Sequence, residues 1–303
     1  MKTATVNPEP IDDLFAKALH DLLAAHCTPA VVRAVERGDS PQAAQDLWQA
    51  LDASGFTNAM VPEALGGAGL SLAQAFPLFE LCGRFVVPLP LAETMLLRAW
   101  AAQRGIEWPN ACVGLEWVKA TDPNVESTEP PDVRAMQAAV LAAQMAGALQ
   151  RVLEMTLQYA NERQQFGRAL GKFQAIQHQL AQMAEHSLAA HMAAQIGCSG
   201  VALASTPAAP AFMPQRLRAG IAKARASEAA VVVADLAHSI HGAIGFTEAF
   251  DLQLFTRRLH TWRQAAGSDS YWHRDIGAAL VHQHDGAVLD LLRQATDPSP
   301  ATP

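Results

Sequence analysis

Long runs of apolar residues at helical spacing fill the second half of this 303-residue chain and constrain its fold more than any other feature. Leu141, Met145 and Leu149 share one face of a helix, as do Ile176 and Leu180 in the segment that follows. Two further segments of the same kind come later in the chain. Such segments, joined by short connections, predict a four-helix bundle.

The same pattern divides the whole chain into regions. We predict an N-terminal helical domain over residues 1–105, a short linker over residues 106–131, the bundle over residues 132–293 and a disordered tail over residues 294–303. An excess of alanine, leucine and glutamine over β-branched residues favours helix throughout. The expected fold class is therefore all-α.

Several local signals mark helix starts and turns in the N-terminal region. Pro29 and Pro41 each stand where a helix can begin, and Asp12 or Asp13 can cap the first helix. Three glycines in the run GGAGLS allow a tight turn with positive φ, and Ser71, the last residue of that run, can cap the next helix.

The linker differs from both of its neighbours. It contains one strand-like run, residues 112–118, among several prolines. At about 5 or 6 residues per strand, its 26 residues hold two or three strands, too few for a sheet with its own core. We expect at most a vestigial β hairpin here.

Charge and composition exclude several functions. The net charge of −7 comes without a basic cluster, so nucleic-acid binding is not expected. The longest apolar stretches, such as residues 229–235, end well before the ~20 residues that span a bilayer. The first ten residues lack the apolar core of a secretory signal, which predicts a cytoplasmic protein without a membrane span.

Cysteine and histidine spacing gives no metal or disulfide signal. The four cysteines form no CxxC pair, which is typical of reduced core thiols. His282 and His284 are two residues apart and would point to different faces of a helix, so they cannot share one ion. No metal site is predicted.

A polar and aromatic cluster lies where the first bundle helix ends. In the run YANERQQFGR, residues 159–168, the cluster consists of Arg163, Gln165, Phe166 and Gly167. A guanidinium can bind a pyrophosphate, an amide can bind a ribose or base edge, and an aromatic face can cover a ring. By itself, the cluster is also compatible with an ordinary exposed helix end, where a basic residue is favoured.

Together with GKFQAIQ at residues 171–177 and SIHGAIGFT at residues 239–247, this run resembles the C-terminal domain of the flavin-dependent acyl-CoA dehydrogenases. The resemblance implies FAD as cofactor, its ADP half held by one subunit and its flavin ring mainly by the neighbouring subunit. It implies that Arg163 binds the pyrophosphate and that Gln165, Phe166 and Gly167 belong to the same site.

The resemblance also places the later run at the ADP moiety, through Ser239, Gly242 and Ala243. This chain departs from the family there, because the family has a glutamine at Ser239 and a second glycine at Ala243. Taken alone, the run predicts a plain helix C-terminus with Gly242 as its cap.

Two parts of the family's equipment are missing from the sequence. The glutamate that removes the substrate's α-proton precedes a Gly-Thr-Ser run in the family, and the corresponding position here is Ala266. An alternative base position of some members falls near Gln137. Asp269 is a weak candidate for a displaced base, and we interpret it first as the N-cap of the next helix. The other missing part is the middle β-barrel domain, which residues 106–131 cannot build.

These features lead to one preferred function and two alternatives. The chain resembles a subunit of a heteromeric acyl-CoA dehydrogenase of the type that acts on sterol side chains, to which the pair His273-Arg274 also points. It would supply the ADP-binding half of the FAD site, while a second acyl-CoA dehydrogenase subunit supplies the β domain and the base for α,β-desaturation of an acyl-CoA. The alternatives are an FAD-free helical scaffold and a self-sufficient homodimer that uses Asp269 as base.

Overall fold

The computed structural model describes residues 11–108, 110–116, 132–201 and 213–282. The fold is all-α, as predicted, and the strands within these ranges are two antiparallel pairs of two residues each. The N-terminal helices are α1 Ile11–His26, α2 Pro29–Arg37, α3 Pro41–Ala53, α4 Leu72–Arg84 and α5 Leu91–Arg104. The C-terminal helices are α6 Val133–Glu162, α7 Gln174–Gly197, α8 Arg216–His241, α9 Leu252–Gln264 and α10 Asp269–His282.

Local sequence signals set several helix starts. Pro29 and Pro41 each occupy the first turn of a helix, behind the N-caps Thr28 and Ser40. Ser71 caps α4 through a reciprocal capping box with Gln74. The first helix begins at Ile11, ahead of Asp12 and Asp13, so the prediction that one of them is its cap is wrong.

The glycine-rich turn before α4 forms as predicted. Gly66 and Gly69 have φ values of 84° and 65°, a region that glycine enters without strain. Gly67 lies against the carbonyl groups of Val61 and Asn58, which leaves no room for a side chain.

The C-terminal region is the predicted bundle with one additional helix. Helix α8 packs against α6, α7, α9 and α10, and α6 also packs along α7. Helices α6 and α8 run parallel, since Arg216 bonds Asp132 at their N-terminal ends and Tyr159 stacks on His241 at their C-terminal ends. The short helix α9 was not predicted as a separate element.

One hydrophobic core runs through both helical regions. Helix α4 packs along α6, and Gly83 of α4 and Gly147 of α6 lie directly against the other helix's backbone carbonyls. His191 of α7 adds a 2.6 Å contact between its Nδ1 and Oε1 of Glu80 on α4. The N-terminal helices are therefore packed on the bundle and are not held by the linker alone.

The described part of the linker is held against α5 and contains no strand. Thr94 donates its hydroxyl to the carbonyl of Val113 at 2.9 Å, and Glu93 accepts the amide of Leu115 at 3.0 Å. Burial raises the pKa of Glu93 above its usual value. The rest of the predicted strand-like run, residues 117 and 118, lies outside the described residues, as do His284 and the predicted tail.

Within the described ranges, the structure has no cluster of metal-ligating side chains and one long apolar helical stretch. No group of three or more His, Cys, Asp or Glu side chains there can hold a metal ion. One helical stretch, Arg216–Phe246, is long and apolar enough to cross a membrane by length and composition. Four other helices pack against α8, which forms most of that stretch, as expected for the core helix of a globular protein.

Candidate functional site

The cluster at residues 163–167 forms a hairpin that projects from the end of α6. Gln164–Gln165 pairs antiparallel with Arg168–Ala169, and the two residues between them turn the chain. Both turn residues have positive φ, 53° at Phe166 and 79° at Gly167. This is the pattern of a two-residue type I′ turn. The polar helix end that the sequence allowed is thus replaced by a defined hairpin.

The hairpin presents an aromatic ring to solvent on a braced backbone. Phe166 at its tip is 90% exposed. At its base, the Arg168 guanidinium lies over the ring of Phe173, 4.1 Å from the ring centre, and the Leu170 amide donates to the Arg163 carbonyl at 2.9 Å. Gln177 donates to the carbonyl of Gly171 at 2.9 Å. A large apolar ring on such a support is a ready contact for a ligand or partner.

Arg163 and Gln165 are the polar groups of this surface. Both residues are exposed, and neither side chain bonds another residue of the described ranges. In contrast, most arginines of the C-terminal helices pack on a ring or pair with a carboxylate, as Arg216 does with Asp132 and Asp275. The guanidinium of Arg163 is therefore available to a ligand.

The second predicted segment lies at the same end of the bundle. Helix α8 ends at His241, and Gly242 has φ 64° and ψ −147°, a conformation suited to glycine. The ring of Tyr159 stacks on that of buried His241 at 4.4 Å, and its hydroxyl donates to the His241 carbonyl at 3.4 Å. This contact joins the end of α6, four residues before Arg163, to the segment that follows α8.

Ser239, Gly242 and Ala243 are all exposed at this end. Ser239 and Phe246 line an open pocket of about 630 Å³. His238 forms part of its wall, since its ring stacks on Phe246 at 4.1 Å and its Nε2 lies 2.9 Å from the Thr256 hydroxyl. Burial lowers the pKa of His238, which keeps the ring neutral at pH 7.

His238 and Thr256 were missed by sequence reasoning. No spacing rule connects a residue of α8 to one of α9, and a lone histidine in a helix gives no signal of its own. Phe246 lay within a predicted segment but was not singled out, because its 69% exposure is visible only in the structure.

The position of the family's base contains no acid. Ala266 has φ 54°, unusual for a residue with a side chain, and Gly267 follows with φ 98°. Trp272 donates its indole NH to the Ala266 carbonyl at 3.1 Å, and Lys223 donates to the Gly267 carbonyl at 3.0 Å. The turn is firmly held, but its side chain at residue 266 is only a methyl group. Gln137, the alternative position, has a neutral amide.

Asp269 is engaged by a cation. Its Oδ2 lies 2.9 Å from Nη2 of Arg263, and this hydrogen bond lowers the pKa of the carboxyl. A carboxylate held in this way is a weak base. The N-cap of α10 is Ser268, whose hydroxyl accepts the Tyr271 amide at 3.3 Å, while Asp269 is the first residue of the helix. The interpretation of Asp269 as the N-cap is therefore wrong by one residue.

The exposed groups at the end of α6 and α8 fit the ADP half of an FAD. They comprise the guanidinium of Arg163, which has no bonding partner among the described residues, the exposed ring of Phe166, and Gly242, where an added Cβ would meet nothing within 4 Å. The described residues include no sheet that could enclose the flavin ring.

Comparisons with known proteins show which family the chain resembles. The model of the acyl-CoA dehydrogenase N-terminal domain matches residues 10–103, and that of the acyl-CoA dehydrogenase C-terminal domain matches residues 135–281. The acyl-CoA dehydrogenase IpdE2 of Mycobacterium tuberculosis is 30% identical, over 84% of this chain and 92% of the relative.

Two solved structures share the fold. A chain of the Tcur3481-Tcur3483 steroid acyl-CoA dehydrogenase, a G363A variant, superposes with a TM-score of 0.73 at 21% identity, over 90% of this chain and 98% of that one. A chain of the ChsE4-ChsE5 complex from Mycobacterium tuberculosis superposes with a TM-score of 0.70 at 18% identity, over 89% of this chain and 97% of that one.

Proposed function

Since the chain belongs to the acyl-CoA dehydrogenase family, we propose that it is the complementing subunit of a heteromeric, FAD-dependent member. In this role it supplies the ADP-binding half of a shared FAD site. A second acyl-CoA dehydrogenase subunit supplies the β domain, which covers the flavin ring, and the catalytic carboxylate. The complex would work in the cytoplasm.

The observation that carries the proposal is the contrast between the two ends of the C-terminal bundle. At one end, Arg163 and Phe166 are exposed and Arg163 has no partner within the described ranges. At the other, the turn that bears the base in the family has Ala266, and Asp269 is paired with Arg263. A chain that retains cofactor contacts and lacks the base fits a binding role in a shared site.

The relatives support a second subunit and suggest the acyl group. Both structures named above carry two protein names, and one is described as a steroid acyl-CoA dehydrogenase. The substrate we propose is accordingly an acyl-CoA thioester with a bulky acyl group, a steroid side chain being the first to test.

The chain's own residues would act by binding and orientation. Arg163 would bind the pyrophosphate through two parallel hydrogen bonds, the geometry that a guanidinium offers to a phosphate. Gln165 would bond an edge of the ribose or adenine, and Phe166 would cover an apolar face. Ser239, Gly242 and Ala243 would line the same half of the site. FAD, when bound, accepts the hydride from the β carbon of the acyl group.

The proposal is tested by Arg163→Ala in the complex co-purified with a partner subunit from the same source. Loss of a charge-assisted contact to two phosphates costs roughly 2 to 5 kcal/mol, and so tens- to thousands-fold in FAD affinity. Flavin absorbance per complex should fall, and desaturation of an acyl-CoA should fall with it. Helix content should not change, because the exposed Arg163 side chain makes no hydrogen bond or ion pair with another described residue.

Two variants serve as controls. Arg163→Lys keeps the charge and loses the bidentate geometry, so it should bind FAD with intermediate affinity. Arg168→Ala removes a cation from the same hairpin that packs on Phe173, and it should affect FAD less than Arg163→Ala. A fully flavinylated and active Arg163→Ala complex would show that the assignment is wrong. A wild-type complex without flavin would favour the scaffold alternative.

A further inference from the structure

A second cavity, of about 330 Å³, lies between the N-terminal helices and α9. None of its lining residues belongs to the proposed FAD site or to the turn at Ala266. Its apolar wall comes from α1, α2, the end of α4 and α9, and consists of Cys27, Val32, Phe85, Val86, Leu254 and Phe255. Its volume is at the lower end of the ~300–1,000 Å³ range of small-molecule sites.

Of the two arginines that line the cavity, Arg151 is the one that makes no hydrogen bond to a carboxylate of the described residues. Arg84 takes both carboxylate oxygens of Glu154, at 2.8 and 2.7 Å. Arg151 lies 3.6 Å from one of the same oxygens, beyond hydrogen-bonding distance. Asp251, the acid of the opposite wall, is paired with Arg33 at 2.5 Å. Two guanidiniums thus share one carboxylate, and the donors of Arg151 remain for a ligand.

The wall near this cation is built in an unusual conformation. Val86 has φ 42°, which is a genuine outlier for a β-branched residue. The Val86 amide donates to the Gly83 carbonyl, and the Val87 amide donates to the Cys82 carbonyl. The end of α4 therefore fixes the conformation of Val86. Strain of this kind persists only where the surroundings fix it, and it occurs preferentially at ligand sites.

We propose that this cavity binds a small amphipathic carboxylate, with its apolar body against the Cys27–Phe255 wall and its carboxylate on Arg151. The apolar wall favours a compact hydrocarbon body over a sugar or nucleotide. The single available guanidinium favours one acid group. Because the cavity draws on both helical regions, an occupant would also stabilise their packing.

The test is calorimetric titration of the full chain with 1-adamantanecarboxylate and, separately, with its neutral analogue 1-adamantanol. We expect the carboxylate to bind more tightly than the alcohol. Arg151→Gln should weaken the carboxylate roughly tenfold or more, the effect of losing a hydrogen bond to a charged group, and leave the alcohol unchanged. Lys172→Gln, an exposed cation outside the cavity, is the matched control and should change neither.

A second variant tests the location. Ala24 lines the cavity, and Ala24→Phe should reduce binding of both probes by filling the space. Equal affinity for the two probes, no binding of either, or an Arg151→Gln protein that binds the carboxylate like wild type would each overturn the proposal. The flavin content of the complex should be the same for Arg151→Gln and wild type, which separates this result from the test of the FAD site.

Discussion

Replacing Gly147 with alanine should separate the two helical regions and destabilise the protein. Gly147 lies in the middle of α6, where its Cα faces the carbonyl group of Glu80 on α4. A methyl group built there overlaps that carbonyl oxygen and comes within 3.0 Å of the Arg84 amide nitrogen. Both are backbone atoms of a regular helix, so neither can rotate away.

The magnitude follows from two opposing terms. Alanine is favoured over glycine in a helix by ~1 kcal/mol. Against this, the helices must move apart by roughly 1 Å, and a gap of that size forfeits up to half of each dispersion contact along the interface. Overpacking of this kind costs about 1 to 3 kcal/mol and sometimes more. With a rigid backbone as the neighbour we expect a net loss of about 2 to 3 kcal/mol, or a fall in Tm of roughly 3 to 5 °C for a chain of this size.

Urea and thermal unfolding followed by circular dichroism at 222 nm measure this effect. The control is Gly277→Ala in α10, where a methyl group meets nothing within 4 Å, so stability should rise by about 0.5 to 1 kcal/mol. Gly83→Ala, at the same α4–α6 contact, should destabilise, and the double variant should cost less than the sum because one separation relieves both overlaps. A Gly147→Ala protein as stable as wild type would refute the close packing of α4 on α6.

Two further predictions concern alkaline pH. Burial raises the pKa of the Cys27 and Cys198 thiols to about 12. Above pH 9 these thiols therefore ionise in the unfolded protein and stay protonated in the folded one. Each thiol should lower the free energy of unfolding by roughly 1 kcal/mol at pH 10. Urea unfolding at pH 7.5 and 10 should show a smaller loss for Cys198→Ala than for wild type. Burial lowers the pKa of Lys223 from 10.5 to about 8, so its unfolded form binds more protons between these values and its contribution to stability rises with pH. Between pH 7.5 and 10, the free energy of unfolding of the wild type should therefore rise by roughly 2 kcal/mol relative to that of Lys223→Met. If urea unfolding shows no such rise, Lys223 titrates normally.

The sequence allowed the helices and their starts to be predicted well, because these depend on local chemistry. A proline in the first turn and a serine before it act within one turn of helix, as at Ser40 and Pro41. Even the glycine-rich turn required only that two residues, Gly66 and Gly69, tolerate positive φ. Such features can be predicted without knowledge of the tertiary contacts.

The contact between the two helical regions could not be predicted from local sequence signals. Gly83 and Gly147 are 64 positions apart, and a glycine inside a helical pattern signals close approach without naming the partner. The two-stranded hairpin around Phe166 was not predicted, because it depends on how Leu170 returns to bond the carbonyl of Arg163. For the candidate site, the sequence indicated Arg163 and Ser239, while the wall formed by His238 and Thr256 required the structure.

The N-terminal helices contact the loop between Phe246 and α9, which directly follows the candidate FAD site in the chain. Arg33 of α2 donates to the Glu248 carbonyl at 3.2 Å and pairs with Asp251, and Arg37 pairs with the Glu248 carboxylate at 2.5 Å. Glu36 accepts from two arginines of α9. These pairs range from half-buried to exposed and are individually weak, but they act together to fix this loop against α2. The segment from Ser239 to Phe246 is thus held on one side by the Tyr159–His241 stack and followed on the other by a loop that α2 fixes.

Only residues 106–131 lie between the two helical regions. The direct contact between α2 and the loop after Phe246 therefore takes the place of an intervening domain. In the proposed complementing subunit, these contacts would keep the proposed ADP-binding surface in shape without a β domain.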